Sequence, residues 1–207
     1  MKLRFILFTA PSVTTSNLID LGILLGATGI NKNETFQAQI DFILRLFDKY
    51  TISKNAMLPG AVVYGREPTL QIRIGDVLSS KEAKDDFSIL VNSGDGVDLH
   101  AALSVSQDVL FEPRNGARAN AAKVILVLLD NTLDAQQNSC LKKKIEQMRA
   151  VGIKIVLIGT GSSFDNGQVQ DLVRRSSVAI TAPSVDELDT NAVIGASSTG
   201  KCCRDSF

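Results

Sequence analysis

The chain has 207 residues, and its 22 lysines and arginines balance 22 aspartates and glutamates, so its formal charge at neutral pH is zero. This length is enough for one domain with a full hydrophobic core, and the zero charge argues against a nucleic-acid binder that relies on many phosphate contacts. Aromatic residues make up 5% and tryptophan is absent, which excludes extensive base stacking, and no apolar run in the sequence is long enough to span a bilayer.

Residues 1–17 form a leader that has two interpretations. A basic start is followed by the short apolar stretch Phe5–Ala10, which is the pattern of a secretion signal. Pro11 interrupts that stretch and no A-x-A cleavage site follows, so a frayed leader that stays on the chain is the alternative.

An acceptor triplet for N-linked glycosylation, Asn33-Glu34-Thr35, follows the leader by a short distance. Such triplets also arise by chance, so the match favours secretion only slightly. Asn33 is therefore a candidate glycosylation site.

The first half of the chain alternates strand and helix patterns. Apolar residues recur at helical spacing from Phe36 to Phe47, which predicts an amphipathic helix with one buried face. Apolar and polar residues alternate in the edge strand that follows a turn at Gly65, as in a half-exposed antiparallel partner. The predicted elements are a strand at Asp20–Leu25, a helix at Glu34–Tyr50, and strands at Ala61–Tyr64 and Leu70–Ile74.

The second half continues the alternation. Its predicted helices are Ser80–Val91, Val97–Phe111, Ser139–Ala150, Val169–Val173 and Val185–Ile194, and its predicted strands are Val124–Leu129, Ile153–Ile158 and Val178–Ile180. In the helix from Ser139, Leu141 is expected to face inward and the run Lys142–Lys144 to face the solvent. The whole pattern predicts an α/β, doubly wound, Rossmann-like three-layer sandwich with a mostly parallel six-stranded sheet and one antiparallel edge strand.

This order of elements resembles a von Willebrand factor type A domain over roughly Ile19 to Ile194, and its style is similar to that of extracellular matrix and adhesion members. The segments that carry the resemblance are the Asp20–Gly29 strand and loop, Ala61–Tyr64 with its edge strand, Gly116–Arg118 leading into Lys123–Asp130, Ala150–Gly159 and Ser184–Leu188. The domain is expected to occupy residues 18–195, with a flexible, cysteine-containing tail at 196–207.

The resemblance implies a divalent-cation site at the carboxyl edge of the sheet. The family's ligands come from an Asp-x-Ser-x-Ser loop after the first strand, a threonine before a mid-chain helix and an aspartate that ends the fourth strand. Here those five positions hold Gly26, Thr28, Ile30, Val97 and Asp130. Only Thr28 and Asp130 keep oxygen ligands, so the site is expected to be degenerate and to bind neither Mg²⁺ nor Mn²⁺ tightly. No cofactor is expected.

Three aspartates near this edge each have two interpretations. Asp130 is either a lone metal or partner ligand, or a carboxylate that caps the end of a strand by accepting backbone N–H bonds. Asp95 and Asp98 either replace the lost ligand or serve as turn and helix-cap residues in a glycine-rich loop.

The turn Gly26–Gly29 supports a competing enzymatic interpretation, because it is similar to the glycine-rich turn of nicotinamide-binding reductases. Lys32 stands where the next glycine belongs, and no acidic residue closes the second strand at the ribose position. Gly159–Gly161 is a second partial match. His100 is the only histidine and no nucleophile pairs with it, so the sequence contains no convincing catalytic set.

We therefore expect a non-enzymatic, secreted protein-binding module of the extracellular matrix, as the resemblance implies, with collagen as the candidate partner. Binding would use the upper rim formed by Thr28, Asp95, Asp98 and Asp130, or a side face, and would not need a metal ion.

Three cysteines complete the inventory. An odd number in a secreted chain predicts either a free thiol or a bridge between chains. Cys202 and Cys203 lie in the predicted tail and are the candidates for a disulfide-linked oligomer. Cys140 is expected to be semi-buried beside Leu141 as a small hydrophobic residue.

Overall fold

Six strands form one sheet in the order β3-β2-β1-β4-β5-β6. The strands are β1 Ile19–Leu25, β2 Met57–Val63, β3 Thr69–Ile72, β4 Ala122–Leu129, β5 Lys154–Thr160 and β6 Val178–Ala182, and the helices are α1 Lys32–Phe47, α2 Ser80–Ser88, α3 Leu99–Val105 and α4 Ala135–Ala150. The computed structural model describes residues 18–28, 32–92, 96, 98–130, 135–160 and 178–182, and single residues at 172, 184, 188, 190 and 193.

The strand pairings confirm the predicted architecture. β1 pairs in parallel with β2 and β4, β4 with β5, and β5 with β6, whereas β2 and β3 are antiparallel. Helices cover both faces, so the central strands are apolar along nearly their whole length rather than alternating. The sheet is thus doubly wound, with β3 as its antiparallel edge.

Two apolar clusters, one on each face of the sheet, form the core. The first packs α1 and α2 on the sheet and includes Phe36, Ile40 and Phe87. The second packs α3 and α4 on the opposite face and includes Leu103 and Ile145. The predicted inward face of α1 is confirmed, because its apolar residues at helical spacing are buried.

β2 begins earlier than the predicted Ala61. The first half of β2 contains Pro59, which pairs with Leu21 of β1. β3 pairs with β2 only from Ala61 to Val63. Pro59 precedes this paired segment, so its missing N–H removes no hydrogen bond to β3.

α2 ends at Ser88 instead of Val91, because the chain after it is bonded to the edge strand. The Gln71 side chain accepts a hydrogen bond from the Val91 N–H at 3.1 Å and donates one to the Val91 carbonyl at 2.7 Å. The predicted helix Val97–Phe111 is divided into α3 and a π-helical segment at Ser106–Leu110.

Two expectations for α4 are wrong. Lys144 is buried, since it lies three residues after Leu141 and one before Ile145 and so shares their inward face. Cys140 is exposed rather than semi-buried. Leu141, Ile145 and Met148 face inward as expected.

The predicted helices Val169–Val173 and Val185–Ile194 and the tail lie almost entirely outside the described residues. None of the helices described here combines the length and the apolar character needed to cross a bilayer.

A buried ion pair between Asp20 and Arg118 closes the amino edge of the sheet. Asp20 accepts hydrogen bonds from the backbone N–H of Arg118 and from its Nε, both at 2.7 Å. The other guanidinium nitrogens donate to the carbonyls of Ile19, Lys54 and Ala56 at 2.6 to 3.0 Å. The local pattern around Asp20 did not predict this pair, because its partner lies 98 residues further along the chain.

Candidate functional site

The carboxyl ends of the parallel strands bring Thr28 and Asp130 together, although they are 102 residues apart in sequence. Thr28 follows β1 and Asp130 follows β4, and these strands are neighbours in the sheet. The Asp130 Oδ2 atom accepts a hydrogen bond from the Thr28 backbone N–H at 3.1 Å. Asp130 is half-buried and accepts a backbone N–H, as the capping interpretation expected.

Gln39 of α1 holds the chain at the end of β1. Its Oε1 accepts a hydrogen bond from the Gly26 N–H at 3.1 Å, and its Nε2 donates to the Gly26 carbonyl at 3.0 Å. The Gln39 side chain is completely buried, so these two bonds satisfy both halves of its amide. Gln39 was not among the residues predicted for this edge, although a polar side chain three positions after Phe36 on an apolar helix face is a signal for it.

Tyr64, directly after β2, packs over Gly26. A Cβ atom at position 26 would lie 2.4 Å from the Tyr64 carbonyl oxygen and 2.8 Å from two carbons of its ring. The Tyr64 hydroxyl donates a hydrogen bond to the carbonyl of Leu128. Burial raises the pKa of Tyr64 well above its ordinary value of 10.0, and the negative charge of Asp130 adds to the rise. At neutral pH this hydroxyl is therefore a neutral, structural donor.

The loop after α2 joins the same edge through Asn92. The Asn92 Nδ2 donates a hydrogen bond to the Ala27 carbonyl at 3.0 Å. Its Oδ1 is buried and has no hydrogen-bond partner among the described residues. Asn92 thus links the chain after α2 to the end of β1.

Asp98 is the N-cap of α3. Its Oδ1 accepts a hydrogen bond from the Ala101 N–H at 2.8 Å, and its own N–H donates to the Gly65 carbonyl at 2.9 Å. The helix-cap interpretation of Asp98 is therefore confirmed. The residue is exposed, as is His100 in the first turn of α3, and both lie on the α3 side of the edge.

Of the remaining candidate residues, the structure describes only Asn33. Asn33 is exposed in the first turn of α1. Asp95, Cys202 and Cys203 lie outside the described part of the chain, as do Ile30 and Val97 of the expected cation site.

Of the five positions of the expected cation site, the structure describes Gly26, Thr28 and Asp130, and only Thr28 and Asp130 bear side-chain oxygens. Thr28 and Asp130 are bonded to each other through the Thr28 N–H, and a side chain at position 26 would require Tyr64 or the end of β1 to shift. Within the described ranges, no three histidine, cysteine, aspartate or glutamate side chains lie close enough together to hold a metal ion. The side chains of Thr28 and Asp130 supply only part of the near-octahedral oxygen shell that Mg²⁺ requires.

In the described part of the glycine turn that favoured a nucleotide, the N–H groups of Gly26 and Thr28 are bonded within the chain. A phosphate at such a turn is bound by free backbone N–H groups. Here the Gly26 N–H donates to Gln39, and β2 is followed by Tyr64 and Gly65 with no acidic side chain at the ribose position.

Two curated proteins are similar to this chain in sequence. Cuticlin-6 of Caenorhabditis elegans is 20% identical over 193 residues, which cover 93% of this chain and 32% of cuticlin-6. Vitrin of Mus musculus is 28% identical over 113 residues, which cover 54% of this chain and 17% of vitrin. The chain thus spans less than a third of either curated relative.

Among solved structures, proximal thread matrix protein 1 from the mussel byssus has a TM-score of 0.74 at 19% identity, covering 89% of this chain and 47% of that one. Another structure of the same mussel protein has zinc in its MIDAS motif. The family sequence model of the von Willebrand factor type A domain matches residues 20–192, which include nearly the whole of the described sheet and its helices. This chain therefore belongs to the von Willebrand factor type A domain family.

Proposed function

We propose that this chain is a non-enzymatic protein-binding module of the extracellular matrix. Its family membership and its similarity to a thread matrix protein support the class. The observation that carries the proposal is the internal bonding of the carboxyl edge: Gln39 occupies both backbone groups of Gly26, and Asp130 occupies the Thr28 N–H. These bonds make a preorganised surface and leave Gly26 unavailable to a phosphate.

Binding by this module is proposed to need no divalent cation. The family's leading carboxylate is replaced by Gly26, against which Tyr64 packs, and Ile30 and Val97 bring no oxygen. In the mussel protein the corresponding motif holds zinc, so the two proteins are proposed to differ in how this edge contacts a partner.

The proposed contact surface is the carboxyl-edge rim, defined as Thr28, Asp95, Asp98 and Asp130. Its three carboxylates suit a partner that presents lysine or arginine side chains. Asp98 is exposed on the α3 side and Asp130 is half-buried near the centre. Collagen is the first fibrous partner to test, because the matrix and adhesion members that this chain resembles imply it.

A solid-phase binding assay tests the proposal with the full chain on immobilised collagen and other matrix proteins, in Mg²⁺ and in EDTA. Asp98→Asn keeps a good helix cap and removes only the charge, and Asp130→Asn keeps an oxygen acceptor. Both variants should weaken binding at least several-fold, whereas the matched control Asp108→Asn, exposed beyond α3, should not.

The outcomes separate the parts of the proposal. Binding that survives EDTA supports metal independence, and binding lost in EDTA contradicts it. Full binding by both rim variants would move the contact to a side face. The proposed binding function would be contradicted if the chain bound no matrix protein but bound a nicotinamide nucleotide saturably. That result would favour the reductase-like alternative.

Thermal unfolding tests metal binding separately. A ligand present at a hundredfold excess over its dissociation constant stabilises the folded state by about 2.7 kcal/mol. We expect neither Mg²⁺ nor Mn²⁺ to change the melting temperature. A rise that Asp130→Ala abolishes would show that a cation site exists at this edge.

We propose that Cys202 or Cys203 forms a disulfide bond that links two copies of the chain. Because Cys140 is exposed, it competes for the same role and needs its own variant. On non-reducing gels, truncation after Gly200 should remove a covalent dimer and Cys140→Ser should leave it. The reverse result would assign the link to Cys140.

A further inference from the structure

Asn33 lies on the solvent-facing stripe of α1. The exposed residues Gln37 and Asp41 follow it at steps of four along the helix, and a 3.0 Å hydrogen bond joins their side chains. Phe36 and Ile40, three and seven residues further on, are buried at the edge of the neighbouring core-facing stripe, whereas Asn33 itself is exposed. The amide of Asn33 therefore projects from the folded domain without displacing any core residue.

The contact between Gln39 and Gly26 shows where Asn33 lies relative to the carboxyl edge of the sheet. Gln39 lies level with the end of β1, since it bonds both backbone groups of Gly26. Asn33 precedes Gln39 by six residues on the same helix, so at 1.5 Å per residue it stands about 9 Å further along the axis, beyond the carboxyl edge. The acceptor triplet is thus beside the carboxyl-edge rim.

We propose that Asn33 carries an N-linked oligosaccharide that stands over the α1 side of the carboxyl-edge rim. The proposal rests on the extracellular placement in the proposed function, because the donor is a lipid-linked oligosaccharyl pyrophosphate of the secretory pathway. The Asn33 amide nitrogen forms a bond to the anomeric carbon, the bond from that carbon to the pyrophosphate oxygen breaks, the lipid pyrophosphate leaves and the amide gives up one proton. Asn33-Glu34-Thr35 is the only N-x-[ST] triplet in the sequence.

The glycan covers the α1 side of the carboxyl-edge rim and leaves the α3 side open. α1 packs on one face of the sheet and α3 on the other, so a sugar on Asn33 lies on the side away from Asp98. Thr28 precedes α1 by four residues and is the rim residue nearest to Asn33 in the chain. A macromolecular partner therefore reaches the rim from the α3 side, over Asp98.

The test uses the full chain behind an added secretion signal, produced in eukaryotic cells, so that entry into the pathway does not depend on residues 1–17. Intact mass is measured before and after treatment with peptide-N-glycosidase. The expected result is one enzyme-sensitive mass increment that N33Q and T35A abolish and T35S keeps. Asn55→Gln, an exposed asparagine outside any acceptor triplet, is the matched control and should keep the increment.

Absence of the increment in the secreted wild-type chain overturns the proposal, and leaves the binding result obtained with unglycosylated protein intact. Conversely, if Asn33 carries a glycan but the chain binds no matrix protein, this proposal is supported and the proposed function is contradicted. Where both hold, N33Q should bind at least as well as the glycosylated chain. Weaker binding by N33Q would overturn the shielding of the α1 side.

Discussion

The hydroxyl of Tyr64 donates a hydrogen bond to the carbonyl of Leu128 and thereby joins the end of β2 to β4 across β1. β1 pairs with β4 only as far as Leu24 opposite Val127, so its ladder stops before Leu128. The missing side chain of Gly26 leaves the space through which the ring passes. One phenol thus connects three strands at the edge where the proposed binding surface lies.

Tyr64→Phe is expected to reduce the free energy of unfolding by about 1–3 kcal/mol, the usual cost of leaving a buried polar group without its partner. The substitution keeps the ring and removes only the hydroxyl, so packing over Gly26 is preserved. Urea unfolding measures the change. Stability equal to that of the wild type would show that water or a shift of the strand replaces this bond.

Alkaline pH is expected to destabilise the fold through the same residue. The folded-state pKa of Tyr64 is raised above its unfolded value, because burial disfavours the phenolate. The folded state therefore keeps a proton that the unfolded state loses above about pH 10, so Tyr64 contributes its full stability below that pH and loses it as the pH rises further.

The phenolate absorbance provides the measurement, since the chain has two tyrosines and no tryptophan. In the wild type, ionisation of Tyr64 should coincide with loss of the folded circular dichroism signal. Tyr64→Phe should reduce the fall in unfolding free energy above pH 10. Full ionisation of both tyrosines in a folded protein would contradict the assignment.

Arg118→Ala is expected to lower the free energy of unfolding by roughly 3–5 kcal/mol, because it leaves the buried Asp20 carboxylate without its cation. Arg118 also donates to three backbone carbonyls at the amino edge. Arg73→Ala is the control, since the Arg73–Asp76 pair is exposed and such pairs contribute roughly 0–1 kcal/mol. Equal losses in the two variants, measured by denaturant unfolding, would contradict a special role for Arg118.

Gln39→Leu is expected to loosen the carboxyl edge. It leaves the N–H and the carbonyl of Gly26 without partners, at a cost of about 1–3 kcal/mol each. Hydrogen exchange should accelerate at the Gly26 N–H, which loses its acceptor, and at the Thr28 N–H two residues further along the same edge. Gln37→Leu, two residues away on the exposed face, is the control and should change stability by no more than about 0.5 kcal/mol. Similar behaviour of the two variants would contradict the clamp.

The sequence by itself determined the element types and the class of fold. Apolar periodicity is local, so the strand from Asp20 and the helix through Phe36 and Phe47 were predictable without knowing their neighbours. The antiparallel edge strand was likewise visible in the alternation from Leu70 to Ile74, and the loss of family ligands at Gly26, Ile30 and Val97 needed only their identities.

Only the tertiary structure decided how the two edges of the sheet are held. Gln39 bonds a residue 13 positions away, and Asp130 one that is 102 positions away, and no local pattern reports such partners. The same holds for Tyr64 and for Arg118, whose hydrogen bonds depend on the strand order. Cys140 and Lys144 were misplaced because a small shift of helix phase exchanges solvent for core. Periodicity specifies which face of an element is buried, whereas the directional hydrogen bonds that shape a site depend on which distant residues the completed sheet brings within 3 Å or so.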